Sequence, residues 1–205
     1  MGPKKKQTNE DRLYSIASGQ MGFFTASQAV ECGFQDPNHS FHVRKGNWEK
    51  IRRGIYRLSR YPETPEGEYV IYSLWSRNRK GIPQGIYSFE TALSIHELSD
   101  ANPSKLHITV PPSFRRHSRI PGILCLHRGV LPREDVSDRG GYCVTKPERT
   151  VRDMLAGESA NPEIIEQALR DGFRTGRITV EELKSLLRNF PASEHLFPPE
   201  IKKLR

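Results

Sequence analysis

Apolar and polar positions fall into three regimes along the chain, and each regime predicts its own kind of element. In the first, short apolar groups sit between helix punctuation marks. A leading helix is expected from about Glu10 to Ser18, followed by the apolar Gly22-Phe23-Phe24. Thr25-Ala-Ser-Gln28 then reads as a capping box, in which the threonine and glutamine side chains satisfy each other's free backbone donors, and it opens a helix ending near Gly33. Asp36-Pro37 is the next start signal, and Gly46 is the stop, because glycine enters the left-handed C-cap conformation cheaply. Between them Phe41 and Val43 are the apolar anchors of a short polar helix. Trp48, Ile51, Ile55, Tyr56 and Leu58 give two β-prone runs around an Arg52-Arg53-Gly54 turn. Helix, helix, helix and hairpin in this order match a winged helix-turn-helix over residues 10–61.

The second regime is mixed. Pro62-Glu-Thr-Pro65 reads as a stiff linker, and Tyr69, Val70, Tyr72, Ser73 and Leu74 fit a helix after it. Ser88 caps a further helix through Leu98, with Ala92, Leu93 and Ile95 buried. Strands are expected at Leu106–Val110, Gly122–Leu126 and Tyr142–Val144, and Thr145-Lys-Pro-Glu148 reads as a capping box for the helix carrying Val151 and Met154. The third regime is helical. Asn161-Pro162 starts one helix that Gly172 is expected to end, and Thr179-Val-Glu-Glu182 caps another that Pro191 closes. The fold class is therefore α+β: the head, a mixed α/β domain over residues 66–190 with a helical C-terminal end, and peripheral tails at 1–9 and 191–205.

Charge changes the picture because it is unevenly placed. Residues 1–60 carry eleven Lys/Arg against five Asp/Glu, whereas residues 61–160 carry thirteen against twelve and residues 161–205 eight against seven. A basic head on a near-neutral body is the electrostatic footprint of nucleic-acid contact, since Lys and Arg displace counterions from phosphates. Lys4-Lys5-Lys6 adds to it as a terminal tail. Within the head, Asn38, His39, Ser40, His42 and Arg44 are the side chains expected near base edges. Lys45, Lys50, Arg52, Arg53 and Arg57 are expected on phosphates. No apolar run approaches a membrane span and no signal-peptide core is present, so a cytoplasmic protein is expected.

Catalytic signatures are missing from the sequence. It contains no Walker-type glycine loop, no G-x-S-x-G elbow and no G-x-G-x-x-G fingerprint. Cys32, Cys125 and Cys143 are odd in number and widely spaced, and they read as incidental thiols. Of His107, His117 and His127, the first and last fall at opposite ends of two proposed strands and neither shows helical i, i+4 pairing, which favours structural histidines and predicts no metal or other cofactor. Arg149, Arg152 and Asp153 are expected to be local ion pairs near a helix start.

Five fragments, taken in order, resemble the AbiEi-like antitoxin and transcriptional-regulator family. They are His42–Tyr56, Tyr87–Leu93, Leu106–Pro111, His127-Arg128 and Val144–Asp153, with similarity extending over roughly Asp11–Leu155. The resemblance implies a winged DNA-binding head that represses its own operon at inverted repeats. It also implies a second domain acting as antitoxin against a nucleotidyltransferase-like toxin, as in type IV toxin-antitoxin (abortive infection) systems. Relatives that look like stand-alone regulators leave the toxin partner open, and a nuclease reading finds no carboxylate-rich core in the C-terminal helices. Neither heptads nor a hydrophobic stripe decides between a monomer and a dimer on such an operator.

Overall fold

The structure, a computed structural model, describes residues 7–100, 102–116, 119–157 and 161–203. Lys4-Lys5-Lys6, His117 and Arg205 lie outside the described residues. The fold is α+β with two sheets, and it divides into two compact units, Met1–Gly85 with Asp138–Cys143, and Ile86–Ser137 with Val144–Arg205.

In the first unit, α1 (Asn9–Ser18) begins at a capping box between Thr8 and Asp11 and buries Leu13 and Ala17. Strand β1 (Phe23–Thr25) runs directly into α2 (Ala26–Glu31), whose Thr25–Gln28 box forms as the sequence predicts. Asp36-Pro37 opens a 3-10 turn, Asp36–Asn38, before α3 (His39–Arg44), and Gly46 follows at φ 72°. Strands β2 (Trp48–Arg52) and β3 (Ile55–Leu58) form the hairpin, with a register shift between Lys50 and Arg52 and Gly54 at φ 71° in the turn. Strand β3 also pairs antiparallel with β1, placing Phe24 opposite Tyr56 in a sheet ordered β1-β3-β2. The core is aromatic. Trp48 meets Phe24 and Phe34 edge-on at ring-centroid distances of 4.9 and 5.2 Å, and Phe24 stacks on Tyr56 at 5.8 Å.

Helix α4 (Gly67–Trp75) belongs to this unit, so the compact division falls after Gly85 and not at Pro62–Pro65. The reason is packing. Gly67 sits so close to the Phe23 ring that a Cβ there would lie 3.1 Å from it, and α4 buries Val70, Tyr72 and Leu74. The Asp138–Cys143 loop packs on the same helix. A Cβ on Gly141 would meet Val70 at 3.2 Å, and the Tyr142 and Tyr69 rings lie 5.2 Å apart.

The second unit contains β4 (Ile86–Tyr87), α5 (Phe89–Ile95), β5 (Leu106–Val110), β6 (Leu124–Arg128), β7 (Val136–Asp138) and β8 (Cys143–Thr145), the last two reaching into the loop just described. Its sheet is ordered β6-β5-β4-β8-β7, with β4 antiparallel to β5 and β5 parallel to β6. Helices α6 (Pro147–Ala156), α7 (Pro162–Arg174), α8 (Val180–Asn189) and α9 (Pro199–Lys202) complete it. With α5 they build one core from Leu93, Val151, Met154, Leu169, Leu183 and Leu186.

Several local expectations change. Ser88 stands at the N-cap of α5 as expected but makes no side-chain cap hydrogen bond; its hydroxyl is engaged with Thr109 Oγ1 at 2.8 Å. Thr145 does not form the expected box with Glu148, because it remains in β8 and its hydroxyl meets that of Thr150 at 2.7 Å. Gly172 does not end its helix. It lies inside α7 under Ile178, whose Cδ1 would be 2.6 Å from an added Cβ. Nor is the stretch after Pro191 peripheral, since Leu196, Phe197 and Ile201 are buried in the helical core.

Candidate nucleic-acid interface

The candidate surface is built on α3 and the β2–β3 hairpin of the first unit. Helical rotation sorts the residues of α3 into two faces. Ser40, Phe41, Arg44 and Lys45 are exposed, whereas His39 is buried and His42 and Val43 are half-buried. Asn38, at the end of the 3-10 turn, is also exposed. Of the five residues expected near base edges, three therefore stand at the surface.

His39 is a core residue, only 2 % exposed. Its Nε2 lies 2.9 Å from the Phe34 carbonyl oxygen and its Nδ1 3.1 Å from Asp36, with the Trp48 ring 5.3 Å away. This burial withdraws it from the base-reading set. His42 stacks on Trp48 at 4.5 Å between centroids and 17° between planes, and lines a cavity of about 540 Å³ together with Tyr14, Phe34 and Tyr61. Burial pushes its imidazole below the ordinary histidine range, against the upward pull of Glu10. It holds α3 onto the sheet.

Phe41, read as an anchor, is instead 44 % exposed, with the Lys45 ammonium 4.6 Å above its ring. An exposed aromatic flanked by cations adds an apolar contact surface to the helix face. The signal in the sequence was the period: Phe41 lies three residues before Arg44 and four before Lys45, on their side of the helix.

The hairpin cations also separate by environment. Lys50 and Arg53 are exposed and form no ion pair among the described residues. Arg52 is exposed, but its guanidinium donates to the Tyr72 hydroxyl at 2.7 Å and lies 4.7 Å from that ring's centroid, which ties the hairpin to α4. The Gly54 carbonyl accepts from the Ala26 amide at 3.1 Å and from Arg77 at 3.4 Å, fixing the turn further. Arg57 departs from expectation. It is 7 % exposed and paired with Glu49 at 3.1 Å and Glu63 at 2.8 Å, so two carboxylates already occupy it. A phosphate would have to displace both.

In the second unit, the Arg149, Arg152 and Asp153 group is an ion-pair network. Arg149 bridges Asp135 and Asp153, and Arg152 bridges Glu148 at 2.9 Å and Asp135 at 3.4 Å. Burial keeps the Asp153 carboxyl above its ordinary range despite the guanidiniums beside it. The network joins α6 to the Arg133–Asp135 turn, and its charges are spent on one another.

No helix among the described residues is long and apolar enough to cross a membrane. No family model and no curated protein matches the chain. Among solved structures, the chain is similar to the Rv2827c protein from Mycobacterium tuberculosis at 15 % sequence identity. The alignment covers 93 % of this chain and 75 % of that one, with a TM-score of 0.47.

Proposed function

We propose that the first unit is a winged helix-turn-helix that binds double-stranded DNA, and that the protein is a sequence-specific transcriptional regulator. The observation that carries this reading is the outward stripe of Ser40, Phe41, Arg44 and Lys45 on α3, beside a hairpin presenting Lys50 and Arg53. In the major groove, Arg44 would donate in bidentate fashion to a guanine edge, Asn38 and Ser40 would address neighbouring donors and acceptors, and Phe41 would meet a thymine methyl. Lys45, Lys50 and Arg53 would hold the backbone, and Arg52 would brace the wing on Tyr72.

The proposal extends to an autorepressing antitoxin that counters a nucleotidyltransferase-like toxin, on the strength of the ordered resemblance from His42 to Asp153. A stand-alone regulator would use the same head without the toxin partner.

Fluorescence anisotropy with a duplex from upstream of the protein's own gene, against a scrambled duplex, tests the DNA reading. The native duplex is expected to bind at least a hundredfold more tightly, and Arg44→Ala to lose most of that margin. Equal affinity for both duplexes would overturn sequence-specific regulation. Co-expression with the neighbouring gene's product tests the second part: an Arg44→Ala, Arg53→Ala double variant should still rescue growth if neutralisation is independent of DNA. Loss of rescue by a folded double variant contradicts that independence.

A further inference from the structure

Strands β5 and β6 bring together three side chains that lie far apart in sequence. Their parallel register sets His107 beside Cys125 and Thr109 beside His127. Residues in register, and residues two apart, share a sheet face, so His107, Cys125 and His127 project to the same side. His107 and His127 do lie toward opposite ends of their strands, but the parallel pairing, which the spacing took no account of, makes them diagonal neighbours. Strand β6 is at the edge of the sheet, and all three residues are only partly buried, leaving the cluster reachable from solvent.

We propose that His107, Cys125 and His127 form a three-ligand site for a borderline-soft divalent metal ion of the Zn2+ class. His107 Nδ1 and His127 Nε2 are 3.0 Å apart, and a ring nitrogen of each histidine and the Cys125 Sγ all lie within 4.8 Å of one another. Metal–nitrogen bonds of about 2.0–2.1 Å and a metal–sulfur bond of about 2.3 Å at a tetrahedral ion require separations of roughly 3.3 Å between nitrogens and 3.6 Å between nitrogen and sulfur. The histidine pair is already close to that spacing, and the sulfur reaches it by a side-chain adjustment of about 1.2 Å at most.

In the metal-free protein the short contact is one imidazole N–H donating to the other ring's lone pair. The ion takes the place of that hydrogen bond: the donor ring's proton moves to its other nitrogen, so both imidazoles stay neutral, and only the Cys125 thiol proton leaves to solvent. Burial favours the neutral imidazoles that ligation needs. The hydrogen bond alone accounts for the histidines but gives no role to the thiol facing them. Two imidazoles and one thiolate select Zn2+ over Mg2+ or Ca2+, which prefer oxygen. Phe89 packs 4.1 Å from the His127 ring and holds it in place. Three protein ligands leave a fourth position open to water or to an incoming anion.

The test is a Co2+ titration of the full chain after chelator treatment and under a thiol-free reductant, followed by Zn2+ competition. One equivalent of Co2+ should produce a thiolate-to-cobalt charge-transfer band that Zn2+ bleaches, and Zn2+ should raise the unfolding temperature. Cys125→Ser should abolish the band, His107→Gln and His127→Gln should each weaken binding at least tenfold, and Cys143→Ser should change neither. Absence of the band in the folded wild-type chain at tenfold excess Co2+ overturns the proposal whatever the variants do. So does a band that survives Cys125→Ser or vanishes in Cys143→Ser.

Discussion

His42 lies face to face with the Trp48 indole, and its loss of water there disfavours the imidazolium. His39 and Lys45 act in the same direction, while Glu10 opposes them. Since the folded-state pKa is depressed, the unfolded chain takes up this proton first as pH falls. The stabilisation is fully present above the ordinary histidine value and is lost as pH drops through it toward the folded one. Chemical denaturation of wild type and His42→Gln at about pH 7.5 and about pH 5, on either side of the ordinary value, isolates the effect. The variant should lose less stability on acidification, and an equal loss in both would assign the pH dependence to other groups. Single residues of this surface were only partly legible in the sequence. Residue type nominated His39 and Arg57 as contacts, yet one is enclosed by Trp48 and Tyr56 and the other is claimed by Glu49 and Glu63. The helical period separates Ser40 from His39, but Arg57 could not be sorted this way. Its partners are set by strand pairing, which places Glu49 opposite it.

Elements announced by local hydrogen bonding were the easiest to read. The boxes at Thr25 and Thr179 need only residues three apart, and both form. Thr145 had the same spacing, but tertiary structure holds its backbone in the sheet and offers its hydroxyl the Thr150 partner. Gly172 shows the opposite error. Glycine signals a helix end when its backbone must turn, but here it is retained because α7 passes close beneath Ile178. Gly172→Ala should therefore destabilise the protein by about 1–3 kcal/mol through overpacking, despite alanine's better helix propensity. Urea denaturation measures this, and a stabilised variant would mean that Ile178 moves aside without cost. The parallel pairing of β5 and β6 was beyond local reading altogether. A run such as Leu106–Val110 shows that a strand forms, not which strand lies beside it or in which direction.

Across the whole molecule, the α+β class and the basic head on a near-neutral body were evident from pattern and charge, while the division between units was not. The prolines at 62 and 65 mark an extended connection, but the fit of Gly67 against Phe23 and the Arg52–Tyr72 contact attach α4 to the head. The proposed DNA-binding head thus includes a brace that fixes the hairpin, and its cations act from defined positions. If Lys50 and Arg53 neutralise phosphates, each contributes to counterion release on binding. The most direct measurement is the dependence of the DNA-binding constant on salt concentration for wild type and for the Lys50→Ala, Arg53→Ala double variant. The account predicts that removing both cations makes the logarithmic slope shallower by about 2 and weakens binding to specific and scrambled duplexes alike. A folded double variant with the wild-type slope and affinity would contradict it.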